Sequence, residues 1–261
     1  MKKIIVGLLA VAVSVLCADM DWPTLTITAP GNTNNIADIG HNLKSELYAL
    51  SYDANRTVMD FLVANFSRET MLNELLSQNV RVDQHYLTDG SVEYNSKLAL
   101  PGKILAVLIP ETKAPKLVVP MLCPSCGQEW PDDRPVPAGI DLVPKETEST
   151  EFTGIVIDCR NLGLTPALFP RVIDNLSEEV YAINFADPRF VIDGGLVLYS
   201  TSDVYNNNRI GYYPLRIQAL GVSGAKMTDI KISMFDARRI HGSKRNLALL
   251  KECRVAIIFG P

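Results

Sequence analysis

The chain has 261 residues, 47% of them hydrophobic and 21% charged, with 25 basic and 29 acidic side chains and a formal net charge of −4. That length and apolar content can bury a substantial core and make one or two domains. The acidic balance, with no Lys/Arg cluster standing out, argues against a nucleic-acid partner, because phosphate binding needs a basic face.

At the start, Lys2 and Lys3 precede the apolar run Ile4 to Leu16. Such a run is short for a bilayer-spanning helix and suits the apolar region of a signal peptide. Residues 1–18 therefore read as an export signal, cut after Cys17 or after Ala18, with a retained anchor as the alternative. Cys17 also invites acylation of its thiol, although Leu16 stands where lipoprotein signals carry Gly, Ala or Ser. Membrane association is expected only through that lipidation, since no second apolar stretch approaches membrane length. Without Lys2 and Lys3 the balance is 23 basic against 29 acidic side chains, a net charge of −6.

Residues 19–35 hold two prolines, a Gly and an Asn/Thr cluster, and read as an extended lead-in with little structure of its own. From Ile36, the apolar positions Ile39, Leu43, Leu47, Leu50, Ala54, Val58, Phe61 and Leu62 fall at helical steps, predicting a helix with one buried face. Arg68 to Leu76 is a second helical stretch, with Met71, Leu72, Leu75 and Leu76 on one side. The period then becomes two: Val80, Val82, Gln84 and Tyr86 alternate, Asp89-Gly90 follows, and Val92, Tyr94, Ser96 and Leu98 alternate again, a strong hairpin signal. Lys103 to Ile109 reads as a further strand. Residues 36–110 are thus expected to form a helix-on-hairpin domain, the helix covering the apolar face of the sheet.

Residues 111–150 are rich in Pro, acidic residues and turn formers and read as a connector. Residues 151–261 read as a second, mixed α/β domain, giving the α+β class overall. Phe152 to Asp158 suits a buried strand. Arg171 to Ile173 and Glu179 to Ile183 flank the turn Asp174-Asn-Leu-Ser as a hairpin. Pro188 to Asp203 reads as a helix despite Gly194 and Gly195. Strands follow over Leu215 to Val222 and Asp229 to Ser233, a helix over Phe235 to Lys251, and a terminal strand over Arg254 to Phe259. That last strand is expected to lie centrally, where it cannot fray.

The sharpest chemical feature is Cys123-Pro-Ser-Cys126-Gly inside the connector, because a C-x-x-C turn followed by Gly aims both sulfurs at one centre, as in a zinc knuckle. A complete zinc site needs four ligands, and Cys159 and Cys253 lack knuckle spacing. A structural disulfide between Cys123 and Cys126 is the favoured reading for an exported chain, so no cofactor is expected. A zinc-linked or redox-active pair is the alternative. Cys159 and Cys253 read as buried small apolar residues or as a second disulfide between neighbouring strands. His41, His85 and His241 share no ligand spacing. Gly221-Val-Ser-Gly224 departs from a nucleophile elbow, and Asp158, Asp174, Asp187 and Asp193 look like solvated or capping aspartates, so an enzyme, such as a periplasmic hydrolase, is the minority reading.

The stretch Arg68-Glu-Thr-Met-Leu-Asn-Glu-Leu-Leu, then Val80-Arg-Val-Asp-Gln-His-Tyr-Leu-Thr-Asp-Gly-Ser-Val-Glu-Tyr, resembles the bacterial outer-membrane and periplasmic lipoprotein family that includes the flagellar basal-disk lipoprotein. Residues 152–171, Phe-Thr-Gly-Ile-Val-Ile-Asp-Cys-Arg-Asn-Leu-Gly-Leu-Thr-Pro-Ala-Leu-Phe-Pro-Arg, are similar to a segment of uncharacterised secreted bacterial proteins in which Ala often stands in place of Cys159. The first resemblance implies a periplasmic or outer-membrane location, homo-oligomers, and envelope or flagellar partners, with no catalysis. The second implies that the fold does not need the Cys159 thiol. The expectation is an exported, non-enzymatic structural or assembly component, with a zinc or redox module as the runner-up.

Overall fold

The computed structural model describes residues 19–261 apart from 32–35, 87, 89–91, 132–133, 147 and 206. The expected export signal and the Asp89-Gly90 turn lie outside the described residues.

Residues 19–31 correct the expectation of an unstructured lead-in. They form strands β1 (Asp19–Asp21) and β2 (Thr26–Gly31), paired antiparallel. Leu25, Ile27 and Ala29 are all buried, a period-two pattern that the Pro and Gly content had masked. Helix α1 (Ile36–Ala49) lies across this sheet and buries Leu43 and Leu47.

The helix expected to continue to Leu62 stops at Ala49 for a local reason. The Asp53 carboxylate accepts the N–H groups of Asn55 and Arg56, both at 2.9 Å, which folds the chain into a turn. Thr57 then opens α2 (Val58–Val63) with a capping box: its hydroxyl accepts the Asp60 N–H at 3.2 Å while Asp60 accepts the Thr57 N–H at 2.8 Å. Polar capping chemistry here outcompetes the continuing apolar period.

Helix α3 (Phe66–Asn79) leads into the expected hairpin of β3 (Arg81–Tyr86) and β4 (Val92–Ala99), in register from Arg81↔Lys97 to Tyr86↔Val92. The four strands are ordered β1-β2-β4-β3, all antiparallel, with β3 at an edge. Lys103–Leu108 is a helix, α4, where a strand was expected. Its unbroken Ile-Leu-Ala-Val-Leu run has no period to read. Arg68 of α3 secures its end by donating to the carbonyls of Val107 (2.9 Å) and Ile109.

The connector contributes a short ribbon of β5 (Met121–Leu122) and β6 (Val143–Pro144). Beyond it come β7 (Ile155–Asp158) and the expected second hairpin, β8 (Val172–Ile173) with β9 (Glu179–Tyr181). Asp174 shapes that turn by accepting the N–H groups of Leu176 and Glu178. The helix expected over 188–203 is shorter: α5 (Pro188–Gly194) ends at Gly195, whose φ of +77° the paired glycines permit, and β10 (Leu198–Ser200) follows. The strand expected over 215–222 divides into β11 (Leu215–Gln218) and β12 (Gly221–Ser223), which enter different sheets. After β13 (Asp229–Lys231), the expected long helix is broken by Gly242-Ser243 into α6 (Met234–His241) and α7 (Lys244–Lys251), with Ser243 capping the second.

Strand β14 (Val255–Ile258) closes the chain and is interior, as expected: the parallel sheet runs β10-β14-β7-β11. A mixed sheet, β12-β13-β8-β9, stands beside it. One face of the parallel sheet, with Ile155, Ile157, Val255 and Ile257, joins a hydrophobic cluster that also holds Ile27, Leu43 and Leu98. Val156, Val204, Ile210, Ala256 and Ile258 form a smaller cluster on its other face. The chain is thus α+β, with helices packed on separate antiparallel, parallel and mixed sheets.

Candidate functional site

The ribbon of β5 and β6 carries the cysteine turn. Cys123 donates its N–H to the Gln128 carbonyl and accepts the Gly127 N–H on its own carbonyl, both at 2.8 Å, so the loop closes on itself. Gly127, at φ +70°, supplies the left-handed residue this closure needs. Trp130 returns the chain to the ribbon by donating its N–H to Met121 at 2.6 Å. An ion pair at 3.1 Å between Lys145 and Glu129 ties the turn to the residue after β6. Residues Pro124 to Glu129 are all exposed and Cys123 is half-buried, so the turn faces solvent.

Within it the Cys123 sulfur faces the backbone N–H of Ser125, then that of Cys126, and then the Cys126 side chain; these donors hold its pKa below the ordinary thiol value. Cys123 and Cys126 are therefore brought together as the spacing implied, two sulfur donors at a solvent-facing tip, and both thiols are free. No group of three or more His, Cys, Asp or Glu residues gathers around a common point among the described residues. Behind the turn is an open pocket of about 500 Å³ lined by Lys116, Glu129, Trp130, Asp174 and Glu178, among others.

Of the two readings of Cys159 and Cys253, strand register excludes the disulfide. β7 and β14 run parallel from Ile155↔Val255 to Asp158↔Ile258, which sets Cys253 before one end of the pair and Cys159 beyond the other. At ~3.3 Å per residue their Cα atoms lie about 20 Å apart, against the ~7 Å that a disulfide can span. Each is a buried small residue instead. Burial pushes the Cys159 thiol up to about 12 and raises that of Cys253 as well.

His41 and His85 are exposed. His241 is fully buried and holds the connector: its Nδ1 accepts the Val118 N–H at 3.0 Å and its Nε2 donates to the Val180 carbonyl at 2.7 Å. This pairing fixes the neutral ring, and burial pushes its pKa down to about 4. Two residues earlier, Arg239 donates to Glu148 at 2.7 Å. That guanidinium, followed by the Thr150 N–H, draws the Glu148 carboxyl down to about 2. Nothing in a lone histidine or a scattered acid marks such clamps in advance, because both partners at His241 are backbone groups distant in sequence.

At the carboxyl end of the parallel sheet, where α/β folds place ligands, the charged groups are engaged with one another. Asp158 is bound by the Arg160 guanidinium, with its Nε at 3.0 Å, which lowers the carboxyl pKa. Arg160 also lies 3.4 Å from Asp203, whose carboxylate accepts the Tyr205 hydroxyl at 3.3 Å. Asp187 caps α5 and is held down to about 2 by the Arg189 side chain and then its N–H. Gly221-Val-Ser223 is strand β12, paired antiparallel to β13 rather than forming a strand-to-helix elbow.

Residues 154–261 match a family model described as the second domain of Treponema pallidum Tp0624. The matched segment takes in the parallel and mixed sheets with α5 to α7, and it leaves the N-terminal sheet and the cysteine turn outside. No curated protein matches the chain.

Proposed function

We propose that this chain is exported and serves as a non-enzymatic structural or assembly component of the cell envelope, in contact with envelope proteins, flagellar ones among them. The basic-then-apolar start supports export, and the helix-hairpin likeness to envelope lipoproteins supports the setting. One observation carries the contact reading: β3 is an edge strand whose outer side has no partner among the described strands, and all six of its residues are exposed. Its even positions include Val82 and Tyr86, 37% and 78% exposed. An edge of this kind, without Pro, Lys or a bulge, is a template for a strand from another chain. Nearby in sequence, Met59, Val63 and Phe66 add exposed apolar surface.

Placing lysine on that edge blocks strand addition while sparing the core. The double variant Val82→Lys, Tyr86→Lys is expected to keep its circular dichroism spectrum and to lose the larger cross-linked species that the unaltered protein gives in envelope extracts. Equal cross-linking by the variant, or a monomer from both, would contradict the reading.

A further inference from the structure

We infer that the pocket behind the cysteine turn binds a primary ammonium group at the end of a methylene chain, and that the Asp174 carboxylate holds it. This goes beyond the proposed function by assigning a ligand, and it does not depend on export or on β3.

Asp174 is fully buried. Its Oδ1 accepts the N–H groups of Leu176 at 2.8 Å and Glu178 at 2.9 Å. Those two bonds fix the carboxylate, so its second oxygen is held in place before any ligand arrives. That Oδ2 is buried and has no hydrogen-bond partner among the described residues. Asp174 is also part of the wall of the pocket of about 500 Å³. A buried carboxylate oxygen without a donor is costly. A positively charged N–H donor in the pocket removes that cost through a bond stronger than a neutral one.

Four exposed charged residues line the same pocket, the basic Lys116 and Arg238 and the acidic Glu129 and Glu178. They offset one another in number, so among the described lining residues the Asp174 charge is in excess and calls for one positive charge. Leu117, Trp130 and Met234, all half-buried, add apolar surface suited to a methylene stem. Lys116 and Leu117 come from the connector, which the bond from Val118 to His241 holds against α6, and Asp174 comes from the β8–β9 turn. A metal ion needs several ligands close together, and no group of three or more His, Cys, Asp or Glu residues gathers among the described residues. An organic cation needs only the one carboxylate.

The test is calorimetric titration of the purified chain with cadaverine and with Nα-acetyl-lysine amide, using pentan-1-ol as an uncharged match for the stem. Saturable binding of an amine and none of the alcohol is expected. Binding of cadaverine alone would make the ligand a free alkylamine, and binding of the lysine derivative would make it a lysine side chain; both outcomes support the site. Asp174→Asn keeps Oδ1 for the turn and replaces only the unpartnered oxygen. It should retain the circular dichroism spectrum and weaken amine binding by about 10-fold or more, the effect of one charge-assisted bond. Lys116→Glu, a change at an exposed position, should tighten binding about threefold, a gain that added salt removes. No saturation by either amine below about 10 mM, equal binding of pentan-1-ol, or unchanged affinity in either variant would each overturn the inference. The β3 lysine variant should bind amine as the unaltered protein does, so this site and the strand-edge contact fail independently.

Discussion

Arg209 is the residue whose environment departs furthest from what its type suggests. Its guanidinium is buried without a carboxylate and donates to three backbone carbonyls, those of Cys253, Gly194 and Gly195, each at 2.6 Å. Burial lowers its pKa, yet arginine stays charged under any ordinary condition. The side chain therefore links the end of α5 to the residue two before β14, where no regular secondary structure satisfies those carbonyls. Arg209→Ala leaves three part-buried acceptors without this donor and should cost about 2 kcal/mol. Urea unfolding reads this as a lower midpoint, and Arg209→Lys should recover little, because one ammonium cannot reproduce the planar fork. Unfolding of the alanine variant at the unaltered midpoint would show that the link contributes nothing.

At the scale of elements, the connector is held to α6 at two points, by His241 to Val118 and by Arg239 to Glu148. Both holds weaken with acid, in separate windows. His241 titrates near 6.5 when unfolded and near 4 in place, so between those values the unfolded chain binds the extra proton. Its contribution is complete above the unfolded value and declines as pH falls toward 4, by about 3 kcal/mol in total. Glu148 adds a second loss from its ordinary value of 4.5 down to about 2. Stability measured by urea at pH 7.5 and at pH 4.5 should differ markedly in the unaltered protein and much less in His241→Gln. An equal fall in both would assign the acid sensitivity to other groups.

The same elements show how far sequence reading reaches. The hairpins over 81–99 and 172–181 and the interior terminal strand were legible because alternation and turn residues are local signals. The break after Ala49 and the break at Gly242-Ser243 were not read, although Thr57 with Asp60 and Ser243 carry capping chemistry that apolar periodicity ignores. Lys103–Leu108 failed for a different cause: its exposed position Ala106 is itself apolar, so the run Ile104 to Leu108 shows no alternation of polar and apolar residues. That Cys123 and Cys126 share one turn was visible from spacing, whereas the separation of Cys159 from Cys253 depends on strand direction, which single-chain patterns do not encode. Arg209 and His241 were invisible as structural clamps, since the groups that their side chains hydrogen-bond are main-chain groups remote in sequence.

For the molecule as a whole, a body with an apolar core carries two solvent-exposed features, a strand edge without a partner among the described strands and the cysteine turn, on opposite sides of α4 in sequence. Neither feature stabilises the isolated chain through burial, and both are suited to meeting another chain. The contrast between a buried interior and the unpartnered β3 edge supports the proposed role as a component of an envelope assembly. Export is the condition on which that setting rests, and intact-mass measurement of the protein recovered from fractionated cells tests it most directly. Envelope-fraction protein is expected to be shortened by residues 1–17 or 1–18, or by 1–16 with a lipid on Cys17. Uncut protein confined to the cytosolic fraction would contradict it.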